Sequence, residues 1–315
     1  LAIQVSAGKI SSMSLVERAL KSVAENASYQ VAISTLDERA LERAKVIDDQ
    51  VKNGKPAGRL AGVPFIAKDN FLTYSSKTTA ASNILRPFEA PYQASAIEKL
   101  EAEGAICIAK ANLDAFAHGS STENSDWFVT KNPNDMSRVA GGSSGGSVAS
   151  VVLGIVPFAL GTDTGGSIRL PASFCGAVGY KPSYGLVSRS GVVAMASSTD
   201  VTGPITRTVD DAALVLDVMS GKDTYDSTTI EKDPLGYIPQ SHELKGTKIG
   251  LVKEYMAEGL EPGVSAVIEA ALDKIKQTGA VVEEVSLPSL PLALAVYYIV
   301  CPAEVSSNLS RYDGQ

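Results

Sequence analysis

The sequence predicts an α/β fold containing parallel strand pairs, on three observations. Between residues 63 and 109 short apolar runs alternate with amphipathic ones; residues 248–285 read as strand, helix and strand; and residues 141–204 are rich in Gly, Ser, Thr and small apolar residues, with almost no charge. Alternating strand and helix signals mark a sheet with crossover helices, and a charge-poor central stretch reads as buried.

Taken in order, Ser14-Leu15-Val16-Glu17 has the form of a capping box, and Leu15, Ala19, Leu20 and Val23 continue one apolar pattern, so a helix is expected near Ser14. Ala40, Leu41, Ala44, Ile47 and Val51 give a second helix, with Gly54 placed to end it in a left-handed conformation. Residues 63–67 read as a short buried strand ending at Lys68, and a helix over 94–103, closed by Gly104, leads to a strand at 106–109. In the centre, 148–154 reads as a helix, 156–160 as a strand and 168–174 as a helix. Strands at 248–252 and 281–285 flank a helix over 262–277, and Pro262 suits a first helical turn. The one loose segment is 223–245, rich in Asp, Thr, Ser and Pro. No boundary is placed there, and residues 1–315 are read as a single domain.

Composition narrows the function. The 315 residues are 44% apolar and 20% charged, an ordinary globular balance. Lys and Arg number 28 against 35 Asp and Glu, with no basic block, so direct tight binding of nucleic acid by this chain is disfavoured. Cys107, Cys175 and Cys301 are far apart, odd in number and set in apolar sequence, which reads as reduced thiols in a reducing compartment. The longest apolar stretches, 148–160 and 290–303, are broken by Gly or Pro and fall short of the roughly 20 residues a membrane-crossing helix needs, so a soluble chain is expected. No secretory signal stands at the start, and Leu1 in place of Met suggests that the true beginning is missing. His, Cys and acidic residues show no metal-ligand spacing, so no metal is expected.

Two glycine-rich segments carry the chemical signal. Gly141-Gly142-Ser143-Ser144-Gly145-Gly146-Ser147 offers backbone N–H groups ahead of a helix, as a phosphate cradle would, yet it has the spacing of neither common nucleotide-binding pattern. A plain glycine turn is the equal alternative. Gly161-Thr162-Asp163-Thr164-Gly165-Gly166-Ser167 lies between a strand and a helix, where Ser167 either exposes a hydroxyl beside converging N–H groups or simply caps the helix. A serine nucleophile needs a base. His242 sits in polar sequence and reads as a solvated loop residue, while His118 suits a site wall or a structural role better than a base. Lys68 remains: at the end of a buried strand, and followed by Asp69-Asn70, its ammonium is disfavoured and its pKa depressed toward working pH.

Lys68 in Gly62-Val63-Pro64-Phe65-Ile66-Ala67-Lys68-Asp69-Asn70, Ser143 in the first glycine segment and Ser167 in the second resemble, in order and separation, the three catalytic positions of the amidase signature family. The resemblance continues through Lys181-Pro182-Ser183-Tyr184-Gly185, Ser188-Arg189-Ser190-Gly191, Gly203-Pro204 and Thr208-Val209-Asp210-Asp211-Ala212-Ala213, and so covers essentially the whole chain. It implies the amidase signature fold, a mixed central β-sheet covered by helices on both faces, incomplete here at the C-terminus. It implies further that Ser167 attacks an amide carbon and that its proton passes to Ser143, itself hydrogen-bonded to neutral Lys68. The backbone N–H groups of Thr164, Gly165, Gly166 and Ser167 would form the oxyanion hole, and the Gly142–Ser143 bond would be cis. Asp163 and Arg169 read as a bracing ion pair.

Within the family, residues 112–125, 223–228 and 297–314 are similar to the A subunit of glutamyl-tRNA(Gln) amidotransferase. That similarity implies a glutaminase releasing ammonia to a tRNA-binding B-type subunit, which uses ATP and Mg2+ to activate glutamate on charged tRNA, while a small C-type subunit wraps the amidase. No cofactor is expected in this chain itself, and no membrane partner. Gly119, Ser120 and Tyr312 are the candidate substrate-binding residues. The implied compartment is the cytoplasm, with the mitochondrial matrix or plastid stroma as alternatives. Ala115 and His118 stand where this subunit commonly has Glu and Met, and Leu170 where Gln is common; these changes touch the pocket wall and remove no reacting group. A free-standing amidase of the same family and a nucleotide-binding module on the two glycine segments are the competing readings.

Overall fold

The structure is a computed structural model and describes residues 1–233, 236–238, 243–256 and 259–312. The chain divides into two compact units, residues 1–238 with 304–315, and residues 239–303. The division falls inside 223–245, where the sequence pattern suggests no boundary. Its physical basis is that, among the described residues, the two strands beyond this segment pair with each other in a sheet of their own.

The first unit runs through α1 (Ala2–Ser6), α2 (Ser12–Glu25), β1 (Ala32–Thr35), α3 (Asp37–Lys52), β2 (Pro64–Lys68), α4 (Ser95–Ala102), β3 (Ile106–Ala111), the hairpin β4 (Lys131–Asn132) and β5 (Asp135–Val139), α5 (Gly145–Val152), β6 (Phe158–Asp163), α6 (Arg169–Cys175), β7 (Val178–Gly179), β8 (Val201–Thr206) and α7 (Val209–Met219). Six strands form one sheet in the order β1-β3-β2-β6-β8-β7. Its centre is parallel, β2 pairing with β3 and β6, while β1 and β8 run antiparallel to their neighbours. Side chains alternate across the strands, so the sheet has two apolar faces. Ile66, Ala159 and Ile205 pack with Val16, Ala44, Val148 and Ala172 of α2, α3, α5 and α6. Phe65, Ala67 and Leu160 pack with Ile97, Leu100, Leu216 and Met219 of α4 and α7. The mixed sheet with helices on both faces is therefore present.

Several boundaries differ from expectation for local reasons. α2 starts at Ser12 because Ser11 caps it, accepting the Ser14 N–H at 3.1 Å, and Asp48 of α3 accepts the N–H groups of Ser12 and Met13 at 2.6 and 3.0 Å. α5 begins at Gly145, ahead of the expected 148, where a Cβ on Gly146 would stand 2.5 Å from the Val31 carbonyl oxygen. β6 extends to Asp163, so the start of the second glycine segment is strand. β8 holds Gly203-Pro204 and pairs with β6 throughout, a strand not placed from the sequence pattern. The front of the supposedly loose segment is ordered: Ser188 donates to Asp223 at 2.6 Å, and Arg189 makes an ion pair with Asp226 at 3.1 Å.

Gly104 closes α4 at φ +85°, and a Cβ there would lie 2.1 Å from the Ala57 carbonyl oxygen. Gly104→Ala is expected to destabilise the fold by at least about 2 kcal/mol in denaturant melts, since both the left-handed backbone and the neighbouring main chain oppose it.

In the second unit β9 (Lys248–Val252) and β10 (Val281–Val285) are parallel and joined by α8 (Pro262–Gln277), all within the expected bounds. Glu261 caps α8 by accepting the Val264 N–H at 3.0 Å. A short turn of helix leads into α9 (Ala293–Leu309). Together these make Leu290–Leu309 a 20-residue helical stretch, long and apolar enough by length and composition alone to cross a membrane, where the apolar run ends at 303. Its last turns carry polar ties to protein: Glu304 accepts the Ser198 N–H at 2.8 Å, and Asn308 donates to the Met195 carbonyl at 3.0 Å.

Candidate active site

Lys68 ends β2, with its side chain wholly buried. Its Nζ lies 2.7 Å from Ser143 Oγ, 2.9 Å from Thr162 Oγ1 and 3.4 Å from the Thr162 carbonyl oxygen. Burial pulls its pKa down to about 7, against the opposing pull of Asp114, Asp163 and Asp200. A neutral amine suits this surrounding: two N–H bonds point at the Thr162 oxygens and the lone pair is left for the Ser143 hydroxyl. Thr162 Oγ1 also accepts from Asn70 Nδ2 at 3.1 Å, which fixes the threonine.

Ser143 follows a cis peptide, as the resemblance implies, just before α5. Gly142 is packed so closely that a Cβ would meet Asp114 Oδ2 at 2.1 Å. Asp114 is itself the bracket of this corner. Its carboxylate accepts the N–H groups of Thr122 and Asn124 at 2.9 and 3.2 Å, and its own N–H donates to the Ser143 carbonyl at 3.3 Å.

Ser167 lies between β6 and α6 and is 8% exposed. The Ser144 N–H donates to the Ser167 carbonyl at 3.1 Å, tying the two serine loops together by main chain. Among the described residues no side-chain hydrogen bond joins Ser143 to Ser167. The loop is organised by Asp163, whose carboxylate accepts the N–H groups of Gly166 at 2.8 Å and Ile168 at 3.1 Å and pairs with Arg169 at 2.9 Å. Burial opposes the Asp163 charge, but the Arg169 hydrogen bond and charge, with the backbone donors, hold its pKa below the ordinary value. This bracing bears on the four-donor oxyanion expectation at one position, Gly166. The Gly166 N–H is already engaged by Asp163, which leaves Thr164, Gly165 and Ser167 as the candidate donors.

Gly119 and Ser120 are exposed on the loop that Asp114 ties down, and the Tyr312 ring packs tilted, at 35°, against Phe116 of the same loop with ring centroids 5.0 Å apart. The structure thus brings Tyr312 to that loop, with no hydrogen bond to Gly119 or Ser120 among the described residues. His118 is exposed in it, and His242 lies outside the described residues. Cys175 is buried, donates to the Ala140 carbonyl at 3.2 Å, and has its thiol pKa pushed up by burial to about 11.

Sequence reasoning missed Asn70, Asp114, Thr162 and Asp200. Asn70 and Thr162 sit inside the quoted segments and were open to reading as polar residues at strand ends. Asp114 also sits inside a quoted segment, 112–125, and holds N–H groups of the same loop, whereas Asp200 reaches Thr164 across 36 residues.

A mixed sheet that ends in a buried lysine, with one serine on a cis peptide against it and a second on a glycine-rich loop beside it, defines an α/β protein of the amidase type. The chain belongs to the amidase family, whose model, described as Amidase, matches residues 14–315. A Carboxydothermus hydrogenoformans protein, named as the A subunit of glutamyl-tRNA(Gln) amidotransferase, is 51% identical over 288 residues, covering 90% of this chain and 59% of the relative. A protein of the same name from Geobacillus thermodenitrificans is 48% identical over 308 residues, covering 97% of this chain and 64% of the relative. The crystal structure of the Thermotoga maritima protein of that name matches with a TM-score of 0.86 and 40% identity over 98% of this chain and 66% of that one. Native peptide amidase from Stenotrophomonas maltophilia matches with a TM-score of 0.85 and 30% identity over 98% of this chain and 66% of that one. The chain spans about three fifths of the length of the curated relatives it matches.

Proposed function

We propose that this chain carries the Ser-Ser-Lys machinery of a glutaminase that works as the A-type subunit of a tRNA-dependent amidotransferase. The observation that carries the reading is the buried 2.7 Å contact between Lys68 Nζ and Ser143 Oγ, next to the loop of Ser167. In this mechanism Ser167 Oγ forms a bond to the side-chain amide carbon of glutamine, and its proton moves to Ser143 as the Ser143 proton moves to Lys68. The N–H groups of Thr164, Gly165 and Ser167 receive the oxyanion. Collapse breaks the C–N bond, and the proton returns through Ser143 to the departing ammonia. Water then opens the glutamyl ester by the same relay. Gly119, Ser120 and Tyr312 would line the substrate side.

The partners in this reading are a B-type subunit, which holds charged tRNA and uses ATP and Mg2+, and a small C-type subunit, all in the cytoplasm. The identity near 50% to proteins named as A subunits supports it over a free-standing amidase, for which the solved neighbours stand near 30%. The test is co-expression of the full-length protein with candidate B- and C-type subunits. Glutamine hydrolysis is expected to rise on adding charged tRNA and ATP, and Glu-tRNA(Gln) to become amidated. Hydrolysis of varied amides without such stimulation would mark a free-standing amidase, and tight ATP binding by this chain alone would favour the nucleotide-binding reading.

A further inference from the structure

We propose that Asp200 is a positioning residue for the reaction, clamping Thr164 of the nucleophile loop through its side chain. The inference rests on the serine-lysine reading of the site. Asp200 stands immediately before β8 and is 6% exposed. Its Oδ1 accepts the Thr164 hydroxyl at 2.6 Å and the Ala196 N–H at 3.2 Å, and its Oδ2 accepts the Met195 N–H at 2.9 Å. Strand pairing delivers it there, because Asp163 at the end of β6 is opposite Val201 at the start of β8. Two carboxylates from neighbouring strand ends therefore hold the loop: Asp163 through the main chain of residues 166 and 168, Asp200 through the side chain of residue 164.

The clamp has a rigid base. Asn308 donates to the Met195 carbonyl at 3.0 Å and to Ser197 Oγ at 3.1 Å, the Ser198 N–H donates to Glu304 at 2.8 Å, and Tyr184 donates to the Ser197 carbonyl at 3.0 Å. The turn that presents Asp200 is thus fixed on its far side. Thr164 supplies one of the N–H groups assigned to the oxyanion, and such donors act only when aimed in advance at the developing charge. A free Thr164 side chain would let that N–H wander.

Asp200 has a second, electrostatic consequence. The charged groups facing Lys68 are Asp114, Asp163 and Asp200, while Arg189 faces Asp200 itself. Burial raises the Asp200 pKa, and the Thr164 and turn hydrogen bonds oppose that rise. Removing its charge leaves Lys68 with one fewer carboxylate favouring the ammonium, so the amine stays neutral to lower pH.

The experiment uses the full-length protein with its partner subunits and compares Asp200→Asn, Thr164→Val and Thr164→Ser. Glutaminase kcat and KM, the pH profile of kcat/KM, and the labelling of Ser167 by a serine-directed fluorophosphonate are read for each. Asp200→Asn and Thr164→Val are expected to lower kcat by about 10- to 100-fold with KM within about twofold of wild type. Thr164→Ser, which keeps the hydroxyl, restores near wild-type turnover. The acid limb moves to lower pH in Asp200→Asn alone. If Thr164→Val turns over like wild type, if Thr164→Ser is as impaired as Thr164→Val, or if the acid limb of Asp200→Asn stays in place, the clamp is overturned. A wild-type protein that neither hydrolyses an amide nor labels at Ser167 overturns the serine-lysine reading first, and the clamp with it.

Discussion

Ser167→Ala is expected to reduce glutamine hydrolysis by the full-length protein by at least about 10⁴-fold, because the hydroxyl that would form the ester is gone and no neighbouring group replaces it. The fold should be indifferent to the change. Ser167 contributes its main-chain carbonyl to the Ser144 N–H, which alanine keeps, and the braces of the loop come from Asp163 and Asp200. Melting curves should therefore overlay those of wild type to within about 1 kcal/mol, which separates lost chemistry from lost structure. Cys175→Ala is the matched control. That thiol is buried with its pKa pushed up to about 11, so it holds almost no thiolate at neutral pH, and its loss should largely spare activity. Mass spectrometry after rapid quench would show a glutamyl adduct on the Ser167 peptide in the wild type and none in the variant. Turnover retained by Ser167→Ala would remove the mechanism.

How much of this was legible in the sequence follows the range of the interactions. α8, β9 and β10 were placed within their observed bounds because Pro262 and the flanking apolar runs are local signals. Lys68 was legible as a buried lysine because an apolar run leads directly into it, and the resemblance then supplied Ser143, Ser167 and the cis bond before any geometry. The start of α2 was misplaced because part of its cap is Asp48, which comes from another helix. β8, which holds Gly203-Pro204, was not placed, since cross-strand pairing overrides local propensity. At Gly166 the N–H is engaged by Asp163, and an Asp three residues earlier is a local pattern that commonly holds a backbone N–H. Neither Asp114 nor Asp200 was singled out from the sequence. Asp200 acts by joining segments that meet only after the sheet has formed, whereas Asp114 braces its own loop.

Lys68→Ala is expected to lower kcat by about 10²- to 10⁴-fold, the range that a positioned general base supplies, and the pH dependence shows why. The active form in the proposed relay is the neutral amine. With a folded pKa of about 7 against an ordinary lysine value of 10.5, wild-type kcat/KM should rise as pH increases through about 7 and level off above it. Stability changes in the same direction but in a different pH window. Between about 7 and 10.5 the unfolded chain holds a proton that the folded chain lacks, so this group makes the fold more stable as pH rises through that window. Below about 7 both states hold the proton and the group adds no pH dependence to stability, so the acid limb reports the relay and not unfolding. Lys68→Ala should erase that limb along with most of the rate, and a small primary amine added to the variant should recover part of the activity, with a pH midpoint that tracks the added amine. An acid limb near pH 7 that survives in Lys68→Ala would assign the titration to another group and leave Ser143 without its base.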